Sequence, residues 1–173
     1  MNSEDIKNRF GSYHVVVLAQ DEAHRVASLC SEHNEALVCR TLAVTYFCQP
    51  TPEAALPADQ LIRQGHSIGS TLSGAGLVIQ RQPLLEATTL SGQSFERLSA
   101  GTVKSGTGLL IRLYRLDVET DTGSVRPYAT IAEAHHPEHL SATSALPDCE
   151  TLASTETGET ESVALATLLS NLQ

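Results

Sequence analysis

The sequence has few aromatic residues and no tryptophan: phenylalanine and tyrosine make up 4% of its 173 residues. Proteins that bind single-stranded nucleic acid stack bases on aromatic side chains, and proteins that bind duplex phosphates need an excess of lysine and arginine. Here 11 lysine and arginine residues stand against 20 aspartate and glutamate residues, a formal net charge of −9. We therefore expect no nucleic-acid partner.

Long apolar segments are also missing. No run approaches the roughly 20 apolar residues that a membrane-spanning helix needs. The polar start of the chain, Met-Asn-Ser-Glu-Asp-Ile-Lys, has no apolar signal-peptide core. The four cysteines form neither C-x-x-C pairs nor a zinc-ribbon spacing. We therefore expect no membrane partner, no zinc site and a cytoplasmic location.

The composition is that of an ordinary folded domain, with 41% hydrophobic and 18% charged residues. Residues 1–11 resemble a short polar lead-in, and residues 141–161 are acidic and rich in serine and threonine, which predicts a mobile linker. A leucine stripe then predicts a short helix over residues 162–173. Its members are Leu165, Leu168, Leu169 and Leu172.

The most informative stretch, residues 24–47, predicts two strands joined by a tight turn at residues 31–35. Side chains alternate between the two faces of a strand. Alternation places Arg40 on the more apolar face of the second strand, and Arg25 shares a face with apolar neighbours in the first. An arginine on an apolar face is costly unless an anionic group meets it.

The remaining patterns predict strands at residues 12–19, 77–82, 109–119 and 126–136, and a helix at residues 58–64. Residues 83–108 show no clear pattern. Because hairpins dominate, we predict an α+β fold with a single antiparallel sheet flanked by short helices that cover one face.

Glu133 lies on an apolar face of the last predicted strand, like the two arginines. One interpretation is a buried ion pair or triad that holds the strand register. The other is a pocket for a small carboxylate, in which arginine supplies paired donors and Glu133 contacts a hydroxyl group. The spacing of these residues is compatible with both.

Three weaker motifs have structural interpretations. Residues 65–69 match G-x-S-x-G, but a helix pattern precedes them where a nucleophile elbow needs a strand, so we interpret them as a helix–helix connection. His135, His136 and His139 follow Glu133 closely enough to suggest a metal site, yet alternation separates the first two, so we interpret them as solvated or strand-end histidines. The glycine-rich residues 101–108 predict a flexible loop.

The chain resembles the chorismate lyase family, whose superfamily also holds the ligand-sensing UTRA domains of bacterial regulators. The similarity covers about residues 12–140. It is carried by Arg25, Leu29-Cys30, residues 37–41, residues 66–72 (similar to the family's Pro-Leu-Gly segment) and residues 132–137 (similar to its Glu-x-x-x-Pro).

The resemblance implies a small interior ligand site beneath helical flaps. Arg25 and Arg40 would bind substrate carboxylates with help from the Gly69 backbone, and Glu133 would contact the ring hydroxyl group. Arg40 and Glu133 would be the catalytic pair. Chorismate would lose pyruvate and give 4-hydroxybenzoate, with no metal or organic cofactor, because aromatisation drives the elimination once the substrate is positioned.

Two functions therefore stand side by side: a chorismate-lyase-like carbon–oxygen lyase over residues 1–140, and a non-catalytic UTRA-like module that binds a small carboxylate or aromatic ligand. The eleven residues before the first predicted strand are too few for a DNA-binding domain, which favours the enzyme. A third possibility is a vestigial pocket with a protein contact made by the acidic tail.

Overall fold

The structure, a computed structural model, describes residues 2–120, 123–142, 145–147 and 158–173. Within these ranges the chain forms six strands, five α-helices and a short 3-10 helix (Glu53–Ala55). In chain order the strands and α-helices are α1 (Asn2–Phe10), β1 (His14–Gln20), β2 (His24–His33), β3 (Ala36–Phe47), α2 (Leu56–Arg63), α3 (Ile68–Gly74), β4 (Val78–Leu90), α4 (Gln93–Leu98), β5 (Gly108–Glu119), β6 (Val125–His135) and α5 (Glu159–Leu172).

All six strands belong to one sheet, in the order β1-β2-β3-β6-β5-β4. Every neighbouring pair is antiparallel. Two three-stranded units, β1-β2-β3 and β4-β5-β6, meet where β3 pairs with β6. The predicted α+β fold with a single antiparallel sheet is confirmed.

The β2–β3 hairpin turns over only two residues, Asn34 and Glu35, with φ angles of 49° and 65°. Two consecutive positive φ angles define the type I′ turn, whose twist matches that of the flanking strands. Farther along the hairpin, Leu29 lies opposite Thr41 and Cys30 lies opposite Cys39, so Arg40 is an extra residue in β3. Such a bulge breaks the alternation of side chains.

Helices cover both faces of the sheet, so the prediction of cover on one face is wrong. Helices α4 and α5 pack on one face, hereafter the α5 face; α1, α2 and α3 lie on the other, hereafter the α1 face. The reason lies in the central strands: eight consecutive residues of β6, Tyr128 to His135, are buried. A strand that is buried on both faces needs a layer on each.

The segment before β1 is the helix α1, and the interpretation of residues 1–11 as a polar lead-in is wrong. Its only large apolar residues are Ile6 and Phe10, which lie four apart and so share one helix face. Ile6 is fully buried. Docking on the sheet stabilises this helix, since its mostly polar sequence has little apolar periodicity of its own.

Strand β4 is longer than the predicted residues 77–82 because it continues through Pro83 to Leu90. The pairing with β5 shifts register between Pro83 and Leu85. A bulge on an edge strand tolerates proline because no ladder hydrogen bond is lost there. From the sequence alone, Pro83 predicts the end of the strand, and the predicted strand is therefore too short.

The last helix, α5, begins three residues earlier than predicted and buries Leu165, Leu168 and Leu172 as the stripe suggested. The predicted mobile linker, residues 141–161, falls largely on residues 148–157, which lie outside the described residues. Within the described part, the Pro147 carbonyl accepts a hydrogen bond from the amide of Thr88. No described helix combines the length and the hydropathy of a membrane span.

Candidate functional site

A small cavity of about 50 Å³ lies between the sheet and the helices of the α1 face. Strands β2, β3, β5 and β6 supply its floor, and the first turns of α1 and α3 supply much of its roof. Three residues singled out in the sequence, Arg25, Gly69 and Glu133, line it. Strand pairing explains why Arg25 and Glu133 meet. Ala43 lies opposite both Ala27 and Glu133. Because Arg25 shares a face with Ala27, strands β2, β3 and β6 present these side chains on one face.

Arg25 is almost entirely buried, with 3% of its surface exposed. Its Nη1 donates to the backbone carbonyls of Ile62 at 3.2 Å and His66 at 2.9 Å. The Ile62 carbonyl belongs to the last turn of helix α2, where the helix dipole is negative and favours a cation, and the His66 carbonyl belongs to the connection that follows. Among the described residues Arg25 has no carboxylate partner, and burial lowers its pKa.

Glu133 faces the same cavity and is held by two donors. Its Oε1 accepts from the Tyr114 hydroxyl group at 3.0 Å and from the Asn2 amide at 2.7 Å. Burial raises the pKa of Glu133, while Arg81 and the two hydrogen bonds act in the opposite direction. The carboxyl group is therefore fixed in place and titrates above its usual range.

His135 lies beside Glu133, with 3.5 Å between Nε2 and Oε2. Its Nδ1 is 3.0 Å from the Thr41 hydroxyl group. Burial lowers the pKa of His135 to about 3, so the ring is neutral at neutral pH. When Thr41 donates to Nδ1, the ring proton sits on Nε2 and faces Glu133. The contact is then between a polar neutral group and the carboxyl group, and it is no ion pair.

Arg40, the fourth predicted site residue, does not line the cavity. Its Nε donates to Ser31 Oγ at 2.9 Å, and its Nη1 lies 2.8 Å from Glu138 Oε2. The guanidinium group also sits 3.9 Å above the centre of the Phe10 ring. An ion pair of Arg40 with Glu133, one of the two interpretations, is therefore not found, and the predicted convergence of Arg40 on the cavity is wrong. The bulge in β3 accounts for its contact with α1.

Gly69 belongs to the first turn of α3, which supplies Ser67, Ile68 and Gly69 to the cavity wall. The Ser67 hydroxyl group accepts from the Tyr13 hydroxyl group at 3.2 Å. The G-x-S-x-G match connects α2 to α3, as predicted, and has no strand before it. The geometry of a nucleophile elbow is therefore absent from this described segment.

The histidines at the end of β6 are buried, so of the two interpretations the solvated one is wrong, whereas the strand-end one agrees with the end of β6 at His135. His135, His136 and His139 are 0%, 2% and 3% exposed. Nevertheless, within the described ranges no three histidine, cysteine or acidic residues are arranged to hold a metal ion. The His139 ring lies beside Phe10 of α1 and beside His135, whereas His136 Nε2 lies 3.0 Å from the Thr102 hydroxyl group.

Sequence reasoning missed four residues of the cavity wall: Asn2, Tyr13, Arg81 and Tyr114. Tyr114 stands opposite Ile131 in the β5–β6 pair, and knowledge of that register would have found it. Arg81 belongs to a predicted strand whose partner was unknown. Asn2 and Tyr13 reach the site only because α1 docks on the sheet.

No family model matches the sequence, and no curated protein matches it. Solved structures similar to it include the gene product SA0254 from Staphylococcus aureus N315, with 14% identity, a TM-score of 0.42 and coverage of 79% of this chain and 76% of that one. A possible transcriptional regulator, YydK from Bacillus subtilis 168, has 11% identity and a TM-score of 0.43; 78% of this chain matches 58% of that one. A GntR-family transcriptional regulator from Enterococcus faecalis V583 has 11% identity, a TM-score of 0.40, and coverage of 78% and 96%.

Proposed function

We propose that this chain is a ligand-binding domain for a small organic anion, with a carboxylate held by Arg25 and a polar group held by Glu133. The observation that carries the proposal is the buried guanidinium group of Arg25, which faces the cavity without a carboxylate partner among the described residues. Burial of an incompletely compensated charge is costly. A ligand carboxylate would complete the hydrogen bonds of Arg25 with charge-assisted contacts.

Glu133 suits the second contact. Tyr114 and Asn2 occupy its Oε1, which leaves Oε2 to face His135 and the ligand. When protonated, the carboxyl group donates a hydrogen bond, and when ionised it accepts one from a hydroxyl group. A ligand that combines a carboxylate and a hydroxyl group would therefore form hydrogen bonds with both Arg25 and Glu133.

The size of the cavity requires a rearrangement on binding. About 50 Å³ holds water, whereas pockets for organic ligands occupy about 300 Å³ or more. The Asn2 amide is the wall group that competes directly for Glu133. Displacement of the first turn of α1 would enlarge the cavity and free Oε1 of Glu133 for the ligand.

Elimination of pyruvate from chorismate is the second candidate. It is favoured by the shared cavity of Arg25 and Glu133, to which the resemblance assigns the carboxylate and hydroxyl contacts of that substrate. It ranks second because Arg40, the other residue of the implied catalytic pair, is engaged by Glu138 outside the cavity. Binding without reaction requires only the two residues that the cavity holds.

Calorimetric titration of 4-hydroxybenzoate and chorismate tests the proposal. We expect Arg25→Gln to weaken binding about ten- to a hundredfold, the value of a charged hydrogen-bonded contact. Arg97→Gln, which removes the same charge from helix α4 on the opposite face, should bind like the wild type. Melting curves would confirm that each variant is folded.

Chromatography of the chorismate samples separates the two candidates. Pyruvate and 4-hydroxybenzoate formed by the wild type, and lost in Glu133→Gln, would establish the lyase. Binding without product would establish the ligand-binding domain. Equal affinity in Arg25→Gln and the wild type, or no binding of either compound, would overturn the proposal.

A further inference from the structure

A second cavity, of about 250 Å³, lies beside the first. Hereafter the cavity at Arg25 is the inner cavity and this one the outer cavity. The two share Asn2, Arg81, Tyr114 and Glu133 as wall residues. They are therefore neighbouring chambers separated by a few side chains, and the Asn2–Glu133 hydrogen bond is part of the boundary between them.

The outer cavity has its own pair of arginines. Arg112 Nε lies 2.8 Å from Glu86 Oε1, so that arginine is already paired. Arg81 has no carboxylate partner among the described residues, and its guanidinium group lies 5.2 Å from the centre of the Tyr114 ring. Neither arginine forms an ion pair with a described carboxylate: Arg25 lines the inner cavity only, and Arg81 lines both cavities, where its charge also acts on Glu133.

This placement of charge differs from the rest of the molecule. The chain carries a net charge of −9, yet arginines outnumber acidic residues along the walls of the two chambers. The walls therefore carry a small excess of positive charge, which favours an anionic ligand. A ligand with a single anionic group would satisfy only one of the two unpaired arginines.

We propose that the outer cavity is a second anion subsite for the same ligand, in which Arg81, flanked by Arg112, holds a second carboxylate or phosphate group. The inference rests on the proposed function of the inner cavity. The ligand would pass Glu133, and the Asn2 amide would leave its place between the chambers. The ligand is then a compact dianion, with anionic groups at opposite ends.

Volume supports a ligand that spans both chambers. The inner cavity alone is too small for an organic molecule, whereas the two chambers together approach the lower end of ligand pockets, about 300 Å³. Arg81 can reach an incoming group because its residue is exposed at the mouth of the outer cavity. Tyr114 forms a wall of both chambers and holds Glu133 between them.

Matched pairs of acids test the inference by isothermal calorimetry. Butyrate and succinate have equal chain length but one and two carboxylates, and hexanoate and adipate repeat the comparison at greater length. At the chain length that spans the two subsites, we expect the dicarboxylate to bind about ten- to a hundredfold more tightly than the monocarboxylate of the same length. Arg81→Gln should remove this gain, so that the dicarboxylate no longer binds more tightly than the monocarboxylate of the same length.

Two variants make the outcomes distinct. Arg25→Gln should weaken both classes of acid, and Arg97→Gln on the opposite face should change neither. Monocarboxylate binding that depends on Arg25, with no gain from a second carboxylate or with a gain that survives Arg81→Gln, would overturn the outer subsite and leave the proposed function intact. No binding by any of the four acids would overturn both.

Discussion

Arg25 and Arg40 show how two buried arginines on one sheet face acquire different tasks. Arg25 is bound by two carbonyls and opens onto the inner cavity. Arg40 is bound by Ser31 and Glu138 and stacks on Phe10. Because protein acceptors and the Phe10 ring already engage the guanidinium group, little of it is left for a ligand, and we assign Arg40 to the attachment of α1.

Arg40→Ala should therefore lower the free energy of unfolding by about 1.5–3 kcal/mol, the value of hydrogen bonds to a charged group. The loss stays below that of a fully buried ion pair because the Glu138 side chain is 65% exposed and rehydrates when its partner is removed. Urea denaturation measures the change.

Glu138→Gln is the matched control for Arg40→Ala. A partner this exposed contributes little, and we expect a loss of at most about 1 kcal/mol. An Arg40→Ala protein with wild-type stability but no ligand binding would contradict the assignment and return Arg40 to the site.

At the scale of the element, helix α5 is part of the core. Leu168 and Leu172 are fully buried in the cluster that includes Phe95 of α4 and Leu42 of β3. The end of the helix is anchored at Gly92, whose amide donates to the Leu172 carbonyl. A Cβ atom at Gly92 would lie 2.5 Å from Gln173 Cα, so only glycine permits this approach.

Leu168→Ala should destabilise the protein by about 2–5 kcal/mol, because it removes buried methyl groups and leaves a cavity. Val163 lies on the same helix with 43% of its surface exposed, so Val163→Ala should cost less than about 1 kcal/mol. Thermal or urea denaturation compares the two. Equal, small losses would show that α5 is dispensable to the core.

At the scale of the whole molecule, three buried histidines make stability depend on pH. Burial lowers the pKa of His135 to about 3 and those of His136 and His139 to about 4. Nearby positive charge lowers these pKa values further, with Arg40 acting on His136 and His139 and Arg112 acting on His135. Glu138 raises the pKa of His136 and Asp5 that of His139, which offsets part of the effect.

Because these histidines are neutral when folded and protonated below about pH 6.5 when unfolded, stability should fall as pH falls from about 6.5 toward 4. The limiting slope is about 1.4 kcal/mol per pH unit for each histidine. The raised pKa of Glu133 makes stability rise as pH falls, and it offsets part of the loss that one histidine causes. Melting temperatures across this range measure the slope.

His139→Leu should flatten the slope, since it removes one titrating ring whose two nitrogens have no hydrogen-bond partner in the described part of the chain. The exposed His14 serves as the control, and His14→Gln should leave the slope as it is. A slope that is unchanged in His139→Leu would show that this ring does not titrate between the two states.

The sequence by itself determined the hairpins and the antiparallel sheet. Each depends on local information: apolar alternation marks strands, Asn34 permits the turn, and a tight turn forces antiparallel neighbours. The leucine stripe of α5 is likewise readable because its period is that of a helix. These features depend on local sequence and little on the rest of the chain.

Only the tertiary structure decided the rest, because it depends on segments that are far apart in sequence. The bulge at Arg40 arises from the pairing of β3 with β2, and it turns a predicted ligand residue toward Phe10 and Glu138. Helix α1 is polar and forms because the sheet buries Ile6. Tyr114 and Arg81 reach Glu133 through the pairing of β4, β5 and β6. Register and docking are set by the complementarity of remote surfaces, and no local period encodes them.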